Sequence, residues 1–203
     1  MINSETKKLE ELQNTVRQLA HRGWCPATGG NFSLKLRSNR YAITASGVDK
    51  TTVTTKDLLI VDGEGEVVVG LQKPSAETLL HLALYRLESS VGAVLHVHTV
   101  ANTILAMDVA EDFIELTGYE MLKAIKGVSS HEATLRLNIL DNSQDMNQLS
   151  DRLKMRWNRS FRGGFIVRGH GVYAWGKDLA EAKRHLEGIE FLLNCELQKR
   201  HLK

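Results

Sequence analysis

The stretch Gly92-Ala93-Val94-Leu95-His96-Val97-His98-Thr99 constrains this chain most strongly. It is short, apolar and rich in β-branched residues, the composition of a buried strand. Side chains on a strand alternate between faces. His96 and His98 therefore point one way, and Leu95 and Val97 the other. Two imidazoles on one side of a rigid strand are half of a metal site. A zinc-type ion takes neutral imidazole nitrogens at ~2.0–2.1 Å, and a catalytic site usually combines three protein ligands with an open position. His170, in Arg168-Gly169-His170-Gly171, is the best candidate for the third, because its flanking glycines let the backbone come close to a neighbouring strand. The competing reading is a pair of half-buried histidines satisfied by hydrogen bonds.

Other segments carry weaker signals, each with a purely structural alternative. Gly23 to Ser33 is a glycine-rich turn feeding a strand in which Phe32, Leu34 and Leu36 alternate with polar residues. Backbone N–H groups at Gly30 and Asn31 suit an anion, although most such turns are only turns. A second strand with Tyr41, Ile43 and Ala45 ends at Ser46-Gly47-Val48-Asp49-Lys50, where hydroxyl, glycine and lysine suit a phosphate or simply a solvated turn. Lys73 to Thr78 opens a helix, with Ser75 as the expected N-cap and Glu77 in the first turn. A helix N-terminus also binds anions, so Ser75 suits a phosphate while Glu77 faces the metal. His81, on that helix, reads as packed or surface. Glu120 reads locally as a solvated helix-start acid, and His131 as a surface residue. Asp178 with Glu181 predicts a capping box for the last helix. His185 and His201, on or beyond that charged helix, are expected to face solvent.

The whole chain narrows the classes. It has 203 residues, 42% of them hydrophobic, enough for one sizeable core, so a single domain over 1–203 is expected. A net charge of +2 without a basic run argues against nucleic acid. No apolar run reaches the ~18 residues of a membrane span. The first residues lack an apolar signal core. Cys25 and Cys195 have no metal or disulfide spacing, read as partly buried thiols, and point to the reducing cytoplasm. Strands follow one another both with and without intervening helices. That predicts an α/β fold, a mixed sheet covered by helices.

Taken in order, Gly29-Gly30-Asn31-Phe32-Ser33, Ser46-Gly47, Pro74-Ser75-Ala76-Glu77, His96-x-His98 and Gly169-His170-Gly171 resemble the class II aldolase/adducin-head family over nearly the whole chain. Three further features are similar to its dehydratase branch: Gly23-Trp24-x-Pro26-Ala27-Thr28, Glu120-Met121-Leu122-Lys123-Ala124, and His170 to Gly176. The resemblance implies a three-layer α/β/α fold with a mixed, largely antiparallel sheet. It implies one divalent metal per subunit, typically Zn2+, and a cyclic homotetramer with active sites at subunit interfaces. His96, His98 and His170 fall on the metal ligands, and Glu120 on the acid/base of the dehydratases. Glu77 falls on a position that serves as acid/base or auxiliary metal ligand in the aldolases. Asn31, Ser46, Gly47 and Ser75 fall on phosphate contacts, and Gly30 and Lys50 lie beside them. The implied substrate is a ketose 1-phosphate, with no nucleic-acid or membrane partner. Two positions depart from the pattern, Gly29 and Ala76, where serine is usual in the dehydratases and in the aldolases respectively. Retro-aldol cleavage of a ketose phosphate and a non-catalytic adducin-like scaffold are the alternatives. The three histidines argue against the scaffold.

Overall fold

The computed structural model describes residues 2–37 and 39–202. The first helix, α1 (Ile2–His21), is set by Leu12, Val16 and Leu19 at three- and four-residue spacing. It leads through a short turn to β1 (Asn31–Arg37), β2 (Arg40–Thr44), β3 (Leu58–Val61) and β4 (Val67–Val69), a meander of antiparallel neighbours. Then come α2 (Thr78–Leu87), β5 (Ala93–Val97), α3 (Val100–Asp108), β6 (Phe113–Thr117) and β7 (Thr134–Leu140). The chain closes with α4 (Met146–Arg156), β8 (Gly164–Val167), β9 (Gly171–Gly176) and α5 (Leu179–His201).

Among the described residues, nine strands join one sheet in the order β4-β3-β2-β1-β5-β9-β8-β7-β6. Every pairing is antiparallel except β7 with β8. Parallel neighbours need a crossover, and α4 supplies it. Strand alternation sends side chains to two separate cores. Leu95 and Val97 pack with α1, α3 and α5 through Leu12, Leu105, Leu186 and Leu193. Val94 and Tyr173 pack on the other face with α2 and α4 through Leu80, Leu84, Leu149 and Leu153. The result is the expected three-layer α/β/α arrangement around a mixed, largely antiparallel sheet. No helix of the described residues is long and apolar enough to cross a membrane.

Three local expectations need correction. Glu77, not Ser75, occupies the N-cap of α2, and its side chain makes no capping hydrogen bond. Ser75 is used otherwise: its hydroxyl accepts from the Glu77 N–H at 3.3 Å, and its carbonyl accepts from the Thr78 hydroxyl at 2.7 Å. Second, His185 is buried rather than solvent-facing. Its Nδ1 donates to the Trp175 carbonyl at 2.6 Å, and its Nε2 accepts from the Lys126 N–H at 3.1 Å. The side chain of His201 lies outside the described residues. Third, Asp178 caps α5 by accepting from Glu181 N–H, but Glu181 reaches back to Lys177 N–H instead of completing the box. His81 is fully buried and hydrogen-bonded to the Ser33 hydroxyl at 2.8 Å, as a packed histidine should be. Both cysteines are partly buried.

Candidate active site

β5 lies in the interior of the sheet, between β1 and β9. That position buries His96 completely and fixes its ring. The ring stacks on Tyr173 from β9, with centroids 3.9 Å apart and planes within 14°. His96 Nδ1 lies 3.0 Å from the Val172 carbonyl oxygen. A carbonyl only accepts, so Nδ1 carries the proton and Nε2 presents a lone pair.

His98 follows one residue beyond the end of β5, and its N–H donates to the Trp24 carbonyl at 3.0 Å. His170 sits in the turn between β8 and β9. Gly171 brings the two regions together. A Cβ there would collide with the Val97 carbonyl oxygen and lie 2.7 Å from ring carbons of both His96 and His98. Gly29 does similar work opposite: a Cβ at that position would meet His98 Nδ1 at 2.7 Å. The glycine that stands where serine is usual thus leaves room for the His98 ring.

Glu77, from the start of α2, completes the group. Its Oε2 lies 3.2 Å from His96 Nε2, and its Oε1 lies 3.0 Å from His170 Nε2. His96 Nε2 and His98 Nε2 face each other at 2.8 Å. One ligating atom from each of Glu77, His96, His98 and His170 lies within 4.8 Å of all the others. Three imidazoles and one carboxylate make a donor set suited to a borderline-soft divalent cation. The charges fit as well. Burial holds His96 well below the ordinary imidazole range, with the neighbouring histidines adding to it, and burial lowers His98 too. Neutral imidazoles are the form that binds metal. Burial alone would push Glu77 up, but hydrogen bonds from His170 and Asn31 pull the other way, and the carboxyl lies below the usual carboxylate range. Tyr173 donates to Glu77 Oε2 at 2.7 Å and Asn31 Nδ2 donates to the same oxygen at 2.5 Å.

The expected phosphate residues gather around this group to different degrees. Asn31 pairs with His96 across β1 and β5, and its amide also reaches the Ser75 hydroxyl at 3.2 Å. Gly30, at φ +78°, packs against the His96 carbonyl. Ser46 and Gly47 follow β2, and Ser46 N–H donates to the Lys73 carbonyl, which sets that turn beside the Pro74-Ser75 segment. Lys50 is buried and donates to the Thr28 carbonyl at 2.6 Å. An apolar cavity of about 420 Å³ opens beside His98, lined by Gly23, Pro26, Thr99, Val100, Thr103 and Ile104.

Glu120 is not brought to this group within one chain. It stands in the 3-10 turn Glu120–Ala124, with its side chain 72% exposed. Its partners are Lys123 at 2.5 Å and, more loosely, His131 at 3.8 Å. The Lys123 hydrogen bond holds its carboxyl below the ordinary value. Glu120 is thus the solvated acid its local sequence suggests, because the turn buries Leu122 and leaves Glu120 outward.

Sequence reasoning missed two features. Tyr173 fixes Glu77 and stacks on His96; the signal available was its in-register pairing with His96. Glu190 on α5 is buried beneath Thr99 and Asn102. Its position within the stripe of Leu186, Ile189 and Leu193 was the available signal.

Comparison with known proteins agrees with this geometry. Residues 10–197 match the model of the class II aldolase and adducin N-terminal domain. A methylthioribulose-1-phosphate dehydratase of Granulibacter bethesdensis is 50% identical over 187 residues, covering 90% of this chain and 87% of that protein. Its namesake from Serratia proteamaculans is 44% identical over 200 residues, covering 98% of both chains. Among solved structures, the L-fuculose-1-phosphate aldolase of Thermus thermophilus superposes with a TM-score of 0.76 at 23% identity, over 97% of both chains. The match over nearly the full length, together with the three-layer fold and the Glu77/His96/His98/His170 cluster, places this chain in the class II aldolase and adducin N-terminal domain family.

Proposed function

We propose that this protein dehydrates 5-methylthioribulose 1-phosphate to 2,3-diketo-5-methylthiopentyl 1-phosphate, a step of methionine salvage in the cytoplasm. The observation that carries the reading is the convergence of Glu77, His96, His98 and His170 within 4.8 Å, in a chain that aligns end to end with proteins of that named activity. His96, His98 and His170, with Glu77 beside them, would hold one divalent cation, which we take to be Zn2+. Such a cation supplies Lewis acidity, drawing electron density from a substrate carbonyl and stabilising the negative charge that proton removal creates.

The protein's own groups do the remainder. The substrate has a ketone at carbon 2 and hydroxyls at carbons 3 and 4. A base takes the carbon-3 proton, the carbon-4 hydroxyl leaves as water once it has received a proton, and the resulting enol tautomerises to the diketone. Glu77 is poorly suited to these transfers. The Asn31 amide and the Tyr173 hydroxyl both donate to its Oε2 and hold it ionised, with His96 and His170 packed against the same carboxylate. We assign the transfers to Glu120, supplied across an interface by a neighbouring copy in a homotetramer. Its exposure, beside the half-exposed Met121, supports this: docking a copy over it would desolvate the carboxyl and raise its pKa toward the range a proton shuttle needs. Gly30, Asn31, Ser46, Gly47, Lys50 and Ser75 are assigned to the phosphate, with Lys50 as the cation. The apolar cavity lined by Val100 and Ile104 is assigned to the methylthio end.

The test is product analysis by NMR. Purified protein of known metal content would be given 5-methylthioribulose 1-phosphate and, separately, fuculose and rhamnulose 1-phosphates. Diketone from the first alone is the expected result. Dihydroxyacetone phosphate from the others would make the enzyme an aldolase. Absence of both turnover and metal would favour a scaffold.

A further inference from the structure

The stripe of α5 that faces the core contains one carboxylate, Glu190, between Ile189 and Leu193. It is 1% exposed. Its side-chain partners are the Thr99 hydroxyl, which donates to Oε2 at 2.8 Å, and the Asn102 amide, which donates to Oε1 at 2.9 Å. No cation pairs with it among the described residues. Burial pushes its carboxyl above the ordinary value, and the two hydrogen bonds pull the other way. An acid buried without a cation is costly, and an apolar residue of similar volume would serve packing better. Glu190 is better explained by what it holds.

It holds the joint between β5 and α3. β5 ends at Val97 and α3 begins at Val100, so His98 and Thr99 are the whole connection. Thr99 caps α3: its hydroxyl accepts from the Asn102 N–H at 3.3 Å while it donates to Glu190. Glu190 thus grips both residues of that cap. His98 depends on the joint more than its neighbour does. The Nδ1 of His96 is tied to Val172, and the strand lies in mid-sheet. His98 has left the strand, and its Nδ1 has no hydrogen-bond partner among the described residues. Its ring meets His96 Nε2 and the close walls at Gly29 and Gly171, and its direction is otherwise set by its backbone, held by the Trp24 carbonyl on one side and the Thr99 clamp on the other.

We propose that Glu190 is a positioning residue for the metal centre: by clamping Thr99 and Asn102 to α5 it sets the direction in which His98 is presented. The inference rests on the reading of the Glu77/His96/His98/His170 cluster as a metal site. A role in stability alone would lower the melting temperature and leave metal affinity unchanged; a positioning role must change the affinity.

The experiment measures the zinc dissociation constant of the full chain by competition with a chromophoric chelator, alongside the melting temperature of the metal-free protein. Glu190→Ala and Thr99→Val are expected to weaken zinc by about 10-fold or more, at the lower end of losses seen when groups orienting metal ligands are removed. Glu190→Gln and Thr99→Ser, which keep a hydrogen-bonding group in place, are expected to restore most of the affinity. Should Glu190→Ala fail to fold, the Thr99→Val and Thr99→Ser pair decides by the same criterion. Wild-type zinc affinity in Thr99→Val, whatever its melting temperature, overturns the proposal. A wild-type protein that takes up zinc while the variants match it overturns this inference alone; one that takes up none overturns the metal centre and the inference together.

Discussion

Glu77 and Glu120 both stand where the chain turns into a helix, yet their surroundings are opposite. Glu77 is enclosed by two histidines, a tyrosine and an asparagine from three strands and a turn, and its charge is held in place. Glu120 projects into solvent with a lysine three residues along. The difference separates two requirements of the proposed chemistry. A ligand must be ionised and immobile, and one folded chain supplies that environment. An acid/base group must gain and lose a proton near neutral pH, which calls for partial desolvation, and in this chain the carboxylate assigned to that task is left uncovered. The cluster holding Glu77 is therefore gathered within one chain, while under the proposed function the region around Glu120 waits on a neighbouring copy.

The sharpest way to break this division is to remove a ligand. His96→Ala should abolish metal binding and reduce turnover by more than the ~10²–10⁴-fold that an acid/base group contributes, checked by elemental analysis and a coupled rate assay. Glu120→Gln should keep a full complement of metal and lose ~10²–10⁴-fold in kcat. A Glu120→Gln enzyme with wild-type rate would collapse the comparison and return the proton transfers to the Glu77 side. Glu77→Gln should retain the fold and weaken metal by roughly 10–100-fold, read in a chelator competition.

These expectations were unevenly legible in the sequence, for physical reasons. His96 could be aimed from strand alternation alone, because the period of a buried strand leaves no freedom; His98, one residue past the end of β5, keeps to the same side. His170 was legible through its glycines. Glu77 could be seen only in part. Locally an acid in a first turn is sufficient as a helix-start residue, and what draws it into the histidine cluster is Tyr173 and Asn31, which are brought to it from 96 and 46 residues away. His185 and Glu190 were misread or overlooked for one reason. Both sit on a helix rich in charge, and charge suggests solvent, but each falls on the side that faces the sheet and finds its partners there. The pleating of the sheet was foreseeable; which helix would cover which polar group was not, since that depends on the order in which nine strands associate.

The apolar cavity sharpens the comparison further. If the methylthio end rests on Ile104, Ile104→Ser should raise KM by about 10-fold and leave kcat nearly unchanged, the pattern of lost uniform binding. A fall in kcat without a change in KM would move the methylthio group elsewhere.

The smallest effect concerns stability. Burial lowers the His81 imidazole to about 4 in the folded protein. Its value in the unfolded chain is the ordinary ~6.5. The unfolded state therefore binds a proton that the folded state refuses between those limits, so stability present above pH ~6.5 is lost as pH falls toward 4. Between about pH 7 and pH 5 the loss amounts to roughly 2 kcal/mol. Urea unfolding of the metal-free protein should show that His81→Gln flattens this pH dependence relative to wild type. Parallel slopes would mean that His81 is not held neutral.

Gly171 has a consequence for how such a protein can change over generations. With a side chain excluded by the Val97 carbonyl and by the rings of His96 and His98, position 171 offers variation nothing to select. A lineage, or a library searching this scaffold, must therefore inherit the spacing of these strands unchanged, whatever it does with the side chains around them. Change around this cluster is change of side chains about a fixed glycine, and the backbone that presents them is passed on intact.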